Sequence, residues 1–133
     1  MLELGNSGVK ISELACVKAP FIPEGSDVVT EFLELPPGDQ GAGPHRHSGP
    51  VFGYVIEGKI LFEIEGEAPY SIEAGQAFWE PGGEVVHYRV ANLLSDASSK
   101  FVVVMLCAPD VPKITMLTDE EIAERAHLRV SAD

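Results

Sequence analysis

Hydrophobic and polar positions alternate in short blocks along most of this chain, and turn residues cut the blocks at frequent intervals. In residues 59–65, Ile60, Phe62 and Ile64 alternate with Leu61, Glu63 and Glu65. That is the two-residue period of a strand with one face turned inward. Asp27–Leu35 is a strand that Pro36-Pro37-Gly38 ends, and a weaker one over residues 9–17 is ended by Pro20 and Pro23. Val51–Glu57 is followed by Gly58 and the 59–65 strand, a pattern that predicts a tight hairpin. Tyr70, Ile72 and Ala74 lead to the turn at Gly75, and Ala77–Glu80 is a short strand stopped by Pro81-Gly82-Gly83. A strand over 85–92 follows. Residues 101–107 are apolar at every position, which predicts a strand buried on both faces. So many short strands predict an all-β barrel or sandwich.

The one helical signal is C-terminal. Thr118 and Glu121 have capping-box spacing, with Leu117 and Ile122 placed as a hydrophobic staple. Asp119, Glu120 and Glu121 suit a helix N-terminus, and Arg125 and Arg129 its other end. A short helix is expected over 118–128.

At 133 residues the chain is expected to be one domain, 1–133, with room for a real core. Nine Lys+Arg against 21 Asp+Glu give a net charge of −12, which repels phosphate backbones and anionic lipid. No nucleic-acid or membrane partner is expected. The first residues carry no basic start before an apolar core, and no apolar run is long enough for a membrane span. A cytoplasmic location is the expectation. Cys16 and Cys107 both lie in apolar stretches and read as buried free thiols.

Candidate chemistry begins at PHRHSGPVFGYVIEG, residues 44–58. His45 and His47 share a face if the segment is extended, with backbone positions roughly 6.6 Å apart. Two such imidazoles can converge on one divalent ion; the alternative is a solvated pair flanking Arg46. A third histidine, His87, follows GQAFWEPGGEVVH.

Together these stretches resemble the two motifs of the cupin superfamily. The first family motif sets His-x-His ahead of a Glu and, six residues on, a Gly; here His45-x-His47 is followed by Val51 and Gly58. The second is matched by Gly75, Pro81-Gly82-Gly83, His87 and Asn92, with one residue more before His87 and one more before Asn92 than the family spacing. The motifs fall at about 38–58 and 75–92. The first-motif Gly is displaced to Gly38, with Asp39 in its place, and the extra residue before His87 reads as a bulge or longer turn. The resemblance implies a single jelly-roll-like β-barrel with one divalent transition metal ion near its mouth, Fe, Mn, Ni, Zn or Cu, held by His45, His47 and His87. Val51 stands where the family places a carboxylate ligand.

Three neutral imidazoles would leave such an ion its full +2 charge, favouring small anionic, chelating substrates. This resembles the three-histidine iron sites of cupin dioxygenases. The expectation is a metal-dependent oxygenase on a small anionic substrate. The alternatives are a non-catalytic cupin that binds a small ligand as a sensor or accessory protein, and a cupin isomerase or lyase. Glu80 and Glu84 read as exposed loop acids, either of which could replace the missing carboxylate. Arg89, two residues beyond His87, would share its face in a regular strand and could pair a substrate carboxylate. Trp79, Phe78, Phe52 and Tyr54 read as core or interface, and His127 as solvated. A homodimer is expected, formed through the N-terminal strand and the 101–107 strand.

Overall fold

The computed structural model describes residues 2–3, 5–18 and 20–130. Eleven strands are assigned among them: β1 (Leu2–Glu3), β2 (Lys10–Ile11), β3 (Asp27–Leu35), β4 (His45–His47), β5 (Val51–Glu57), β6 (Lys59–Ile64), β7 (Tyr70–Glu73), β8 (Ala77–Glu80), β9 (His87–Asn92), β10 (Ser99–Cys107) and β11 (Ile114–Met116). A helix, α1 (Asp119–Arg125), and a single 3-10 turn at Ala126–Leu128 complete it. The larger sheets have strand orders β3-β10-β5-β8 and β11-β4-β9-β6-β7, with every pairing antiparallel, and β1 pairs only with β2. Val51, Val55, Phe78, Phe101, Val103 and Met105 from the first sheet meet Ile60, Phe62, Ile64, Ile72 and Val90 from the second in one core. The fold is the expected all-β one with a short C-terminal helix. Among the described residues no helix is long and apolar enough to cross a membrane.

The hairpin expected at Gly58 does not form. β5 pairs with β10 and β8, whereas β6 pairs with β7 and β9, so the chain passes from one sheet to the other there. Gly58 has φ of 91°, and a Cβ would lie 2.2 Å from Ser99 Oγ. Only glycine fits that close approach. Ser99 is fully buried and donates to Asn92 Oδ1 at 2.7 Å; Asn92 Nδ2 in turn donates to the carbonyls of Leu35, Pro36 and Ala97. The motif asparagine therefore closes a structural corner.

Two further expectations need correction. The valine-rich strand is buried on one face only: Phe101, Val103, Met105 and Cys107 point inward, and Val102, Val104 and Leu106 are half-buried on the other side. A run apolar on both faces hides its period, which is why the sequence read as doubly buried. In the 9–17 segment only Lys10 and Ile11 are in a strand, and Cys16 is exposed, not buried. Proline and glycine close by leave that segment few ladder partners.

α1 opens with both hydrogen bonds of the capping box, between Thr118 and Glu121. It covers a small second core of Val86, Tyr88, Leu117 and Ile122. Three arginines tie it to the sheet. Arg46 pairs with Glu121 at 2.9 Å, Arg125 with Glu65 at 2.9 Å, and Arg129 with Glu63 through two bonds of 2.7 and 2.8 Å. Glu63 is 1% exposed, and the Arg129 guanidinium also lies 4.6 Å from the centre of the Tyr88 ring. A carboxylate that deeply buried needs its partner. Arg129→Ala should therefore lower unfolding stability by about 2–3 kcal/mol in urea titration, and adding Glu63→Gln should recover part of the loss. A single-variant change below about 0.5 kcal/mol, the range of ordinary surface substitutions, would show that the pair holds nothing.

Candidate metal centre

β4 lies between β11 and β9, and its register sets His45 directly opposite His87. His45 and His47 are both buried while Arg46 between them points out to Glu121, the alternation expected of His-x-His in a strand. The three imidazoles meet with ring centroids 4.8, 4.9 and 5.9 Å apart. One nitrogen from each lies within 4.8 Å of the others, a group able to hold a metal ion. The structure brings together the three histidines that the sequence singled out.

Their environment fits a cation better than it fits a polar network. Among the described residues, His87 Nε2 and His47 Nδ1 are buried without a hydrogen-bond partner, and His87 Nδ1 has the Glu80 carboxylate at 3.1 Å but no aligned hydrogen bond. Such atoms are costly to leave unpaired, and a metal is the kind of group that satisfies them. His45 Nδ1 lies 2.8 Å from the Gly43 carbonyl, which can only accept, so Nδ1 carries the proton and Nε2 keeps its lone pair. Burial, then the neighbouring His45, pushes the His47 pKa down to about 4. Burial, then His45 and His47, pushes that of His87 to about 3. Both rings are thus neutral, the form that binds metal.

A fourth side chain joins them. The expectation of an exposed loop acid is wrong for Glu80, which is 2% exposed with Oε2 3.1 Å from His87 Nδ1 and Oε1 3.5 Å from His47 Nε2. Burial alone raises its pKa to about 8. The signal was present in the alternation of Ala77–Glu80, since a strand that buries Phe78 must also turn Glu80 inward. Glu84 is exposed as expected.

Above these groups lies a cavity of about 150 Å³, walled by Leu33, Leu35, Val51, Phe78, Phe101 and Met105 among others, with Glu31 also on its lining. Phe78 is thus both core and cavity wall. Arg89 is not part of it. At the end of β9 next to His87 the ladder shifts: Ile64 faces His87 and Glu63 faces Arg89, leaving Tyr88 as the extra residue. The bulge inverts the pleat, so Arg89 leaves the His87 face and approaches Glu63 at 3.8 Å. Trp79 and Phe52 stack on the outer face, 6.1 Å apart, and His127 is exposed.

A two-sheet antiparallel fold with imidazoles gathered at one cavity defines a β-sandwich with a candidate metal centre. The profile of the Cupin domain family, Cupin_2, matches residues 31–105, and the chain belongs to the cupins. Among characterised proteins it is similar to dimethylsulfoniopropionate lyase DddW of Ruegeria pomeroyi, 39% identical over 66 residues. That match covers 50% of this chain and 41% of the lyase, so the chain spans less than half of that protein. Among solved structures it resembles that of the DMSP lyases RdDddP and RnDddQII, with a TM-score of 0.57 and 21% identity over 68% of this chain and 44% of that one. A cupin with a double-stranded β-helix fold from Methanocaldococcus jannaschii gives 0.54 and 23% over 76% and 88%. At those identities the solved structures speak for the fold.

The shifted groups fix a pH profile for chelator-treated protein. His47 and His87 are depressed from 6.5, so the stability they contribute is present above that pH and is lost as pH falls through about 4 and about 3. Glu80 is raised from 4.5, so its contribution is present below that pH and is lost as pH rises through about 8. Between 4.5 and 6.5 two histidines outweigh one glutamate, and above 6.5 the glutamate acts alone. The melting temperature of metal-free protein should peak near pH 6.5, and Glu80→Gln should flatten the alkaline side. Equal alkaline slopes in wild type and variant would show that Glu80 does not stay protonated there.

Proposed function

We propose that this chain is a metal-dependent cupin enzyme that acts on a small carboxylate, by lyase chemistry. The observation that carries the reading is the cavity wall. Among the described residues no Lys, Arg, Ser, Thr or Tyr lines it, so an anionic substrate has only a cation at His45, His47 and His87 to bind. Such a divalent ion, of a kind the imidazoles do not select, would supply Lewis-acid polarisation of the carboxylate. The apolar wall accepts a compact body attached to it. Elimination rather than oxygenation is favoured by the likeness to a lyase, DddW.

Elimination removes the proton α to the carboxylate and releases a leaving group from the β-carbon. Glu31 is the acid on the cavity lining that touches no imidazole within salt-bridge distance; its carboxylate pairs with Lys113 at 3.1 Å. We assign it the proton. Metal-loaded protein incubated with small β-substituted carboxylates, dimethylsulfoniopropionate included, should generate vinyl protons in NMR spectra, and chelation should abolish the signal. Glu31→Gln should lower the rate by about 10²-fold without changing metal content. Oxygen uptake with no vinyl product would support the three-histidine oxygenase reading instead. Ligand binding without turnover would support a sensor.

The homodimer belongs to the same proposal. On the outer face of the four-stranded sheet Val28 and Phe32 of β3 are 65% and 59% exposed, and across Val102 and Val104 of β10 lie Tyr54 and Phe52, with Trp79 stacked on Phe52. A second copy is the partner that this continuous apolar face suits. Light scattering should give twice 14.3 kDa, and Phe32→Lys should give the monomer; a monomeric wild type at micromolar concentration would remove the dimer.

A further inference from the structure

Val51 and Glu80 are directly opposed in the antiparallel β5–β8 pair. Opposed residues of such a pair place their Cβ atoms about 4.5–5.5 Å apart on one face of the sheet. Both side chains are buried at 2% exposure and both line the cavity that holds the histidines. The family motif puts its carboxylate at Val51. In this chain a carboxylate stands one strand over, at the same level of the sheet, with its oxygens 3.1 and 3.5 Å from nitrogens of His87 and His47.

We propose that Glu80 is the fourth protein ligand of the metal, a carboxylate transferred across the ladder from the position that Val51 occupies. The proposal rests on the reading that the three histidines bind a metal.

The segment after Glu80 is built to hold it still. Gly83 N–H donates to the His47 carbonyl at 2.8 Å, tying the turn to a ligand strand. Gly82 has φ of 70°, and a Cβ on it would lie 2.0 Å from the carbonyl oxygen of Gly49. The turn following β8 is thereby pressed against the connection between β4 and β5. His47 and Glu80 are positioned by one joint.

Among the described residues no Lys or Arg lines the cavity, so this buried acid has no cation there to neutralise it. A divalent ion would do so, and three imidazoles with one carboxylate leave a site charge of +1 rather than +2. Hard ions that prefer oxygen gain most from the fourth ligand.

The test is titration of chelator-stripped protein with Mn²⁺ by calorimetry. Wild type should bind one ion, Glu80→Gln should bind at least tenfold more weakly, and Val51→Glu/Glu80→Ala should recover most of the loss. Infrared difference spectra of wild type, with metal minus without, should show carboxylate bands shifting on binding, bands that the Glu80→Gln spectra lack. The infrared result decides the matter even where a variant fails to fold. Metal binding in wild type with no shifted carboxylate band, or a folded Glu80→Gln protein that binds as tightly as wild type, overturns the proposal while sparing the histidine site. A wild type that binds no Mn²⁺, Fe²⁺, Ni²⁺, Cu²⁺ or Zn²⁺ overturns both.

Discussion

Strand register is the constraint on which this structure depends. Side chains in a sheet alternate between faces with a period of two, so a one-residue slip moves every inward group outward. Two ladders fix the site: β4 against β9 sets His45 opposite His87, and β5 against β8 sets Val51 opposite Glu80. The apolar residues of the same strands pin those registers. Val51, Val55 and Phe78 in one sheet and Phe62, Ile64 and Val90 in the other can enter the core only in this parity. Burying one such side chain is worth about 1.5–3 kcal/mol, whereas the uncompensated polar atoms of the histidines each cost on the order of 1–3 kcal/mol. The core wins that contest many times over, and it carries the histidines inward with it.

The bulge at Tyr88 is the place where the parity is broken deliberately. It lets His87 and Val90 face the cavity while Tyr88 and Arg89, between them, both serve the outer surface. Tyr88 joins the small core beneath α1, and Arg89 turns toward Glu63, which Arg129 holds through two hydrogen bonds. Arg46, between two ligand-type histidines, is tied to the same helix through Glu121. Each site strand of the five-stranded sheet is thus anchored from outside by the C-terminal segment, and the inner face is left free of cations. A structure without the bulge would turn Arg89 toward the face of His87.

Much of this was legible in the sequence because it was written in periodicity and turn chemistry. Asp27–Leu35, Val51–Glu57 and Ala77–Glu80 have the bounds that their alternation and flanking turns indicate. Thr118 and Glu121 form the capping box that their spacing specifies. His45, His47 and His87 converge because motif spacing survives translation into strands. What stayed hidden was set by contacts between distant segments. Whether Gly58 closes a hairpin or crosses between sheets depends on β10 and β9, which lie far along the chain. Arg89 was misplaced because one extra residue in β9 reverses a pleat, and the sequence shows an extra residue without showing where the ladder absorbs it. Glu80 reads as an exposed loop acid, with the substitute carboxylate only its alternative, for a different reason. A glutamate beside Pro-Gly-Gly is usually solvated, and only the pairing of β8 with β5 sets it against the imidazoles.

The charge of the chain and the charge of the site are opposed, and distance decides which one governs an incoming anion. The chain carries a net charge of −12, but interactions beyond about 8 Å are largely screened at physiological salt. Inside the cavity the wall is apolar and screening is weak, so a divalent ion held by the histidines would act strongly on a carboxylate over a few ångströms. On the proposed reading an anion would be repelled weakly on approach and held strongly once inside. That combination would select for size: a large polyanion would meet the acidic surface at many points, whereas a compact carboxylate would fit a cavity of about 150 Å³ and exchange its hydration for one strong contact. An apolar body behind such a carboxylate would then gain about 25 cal/mol per Å² on burial.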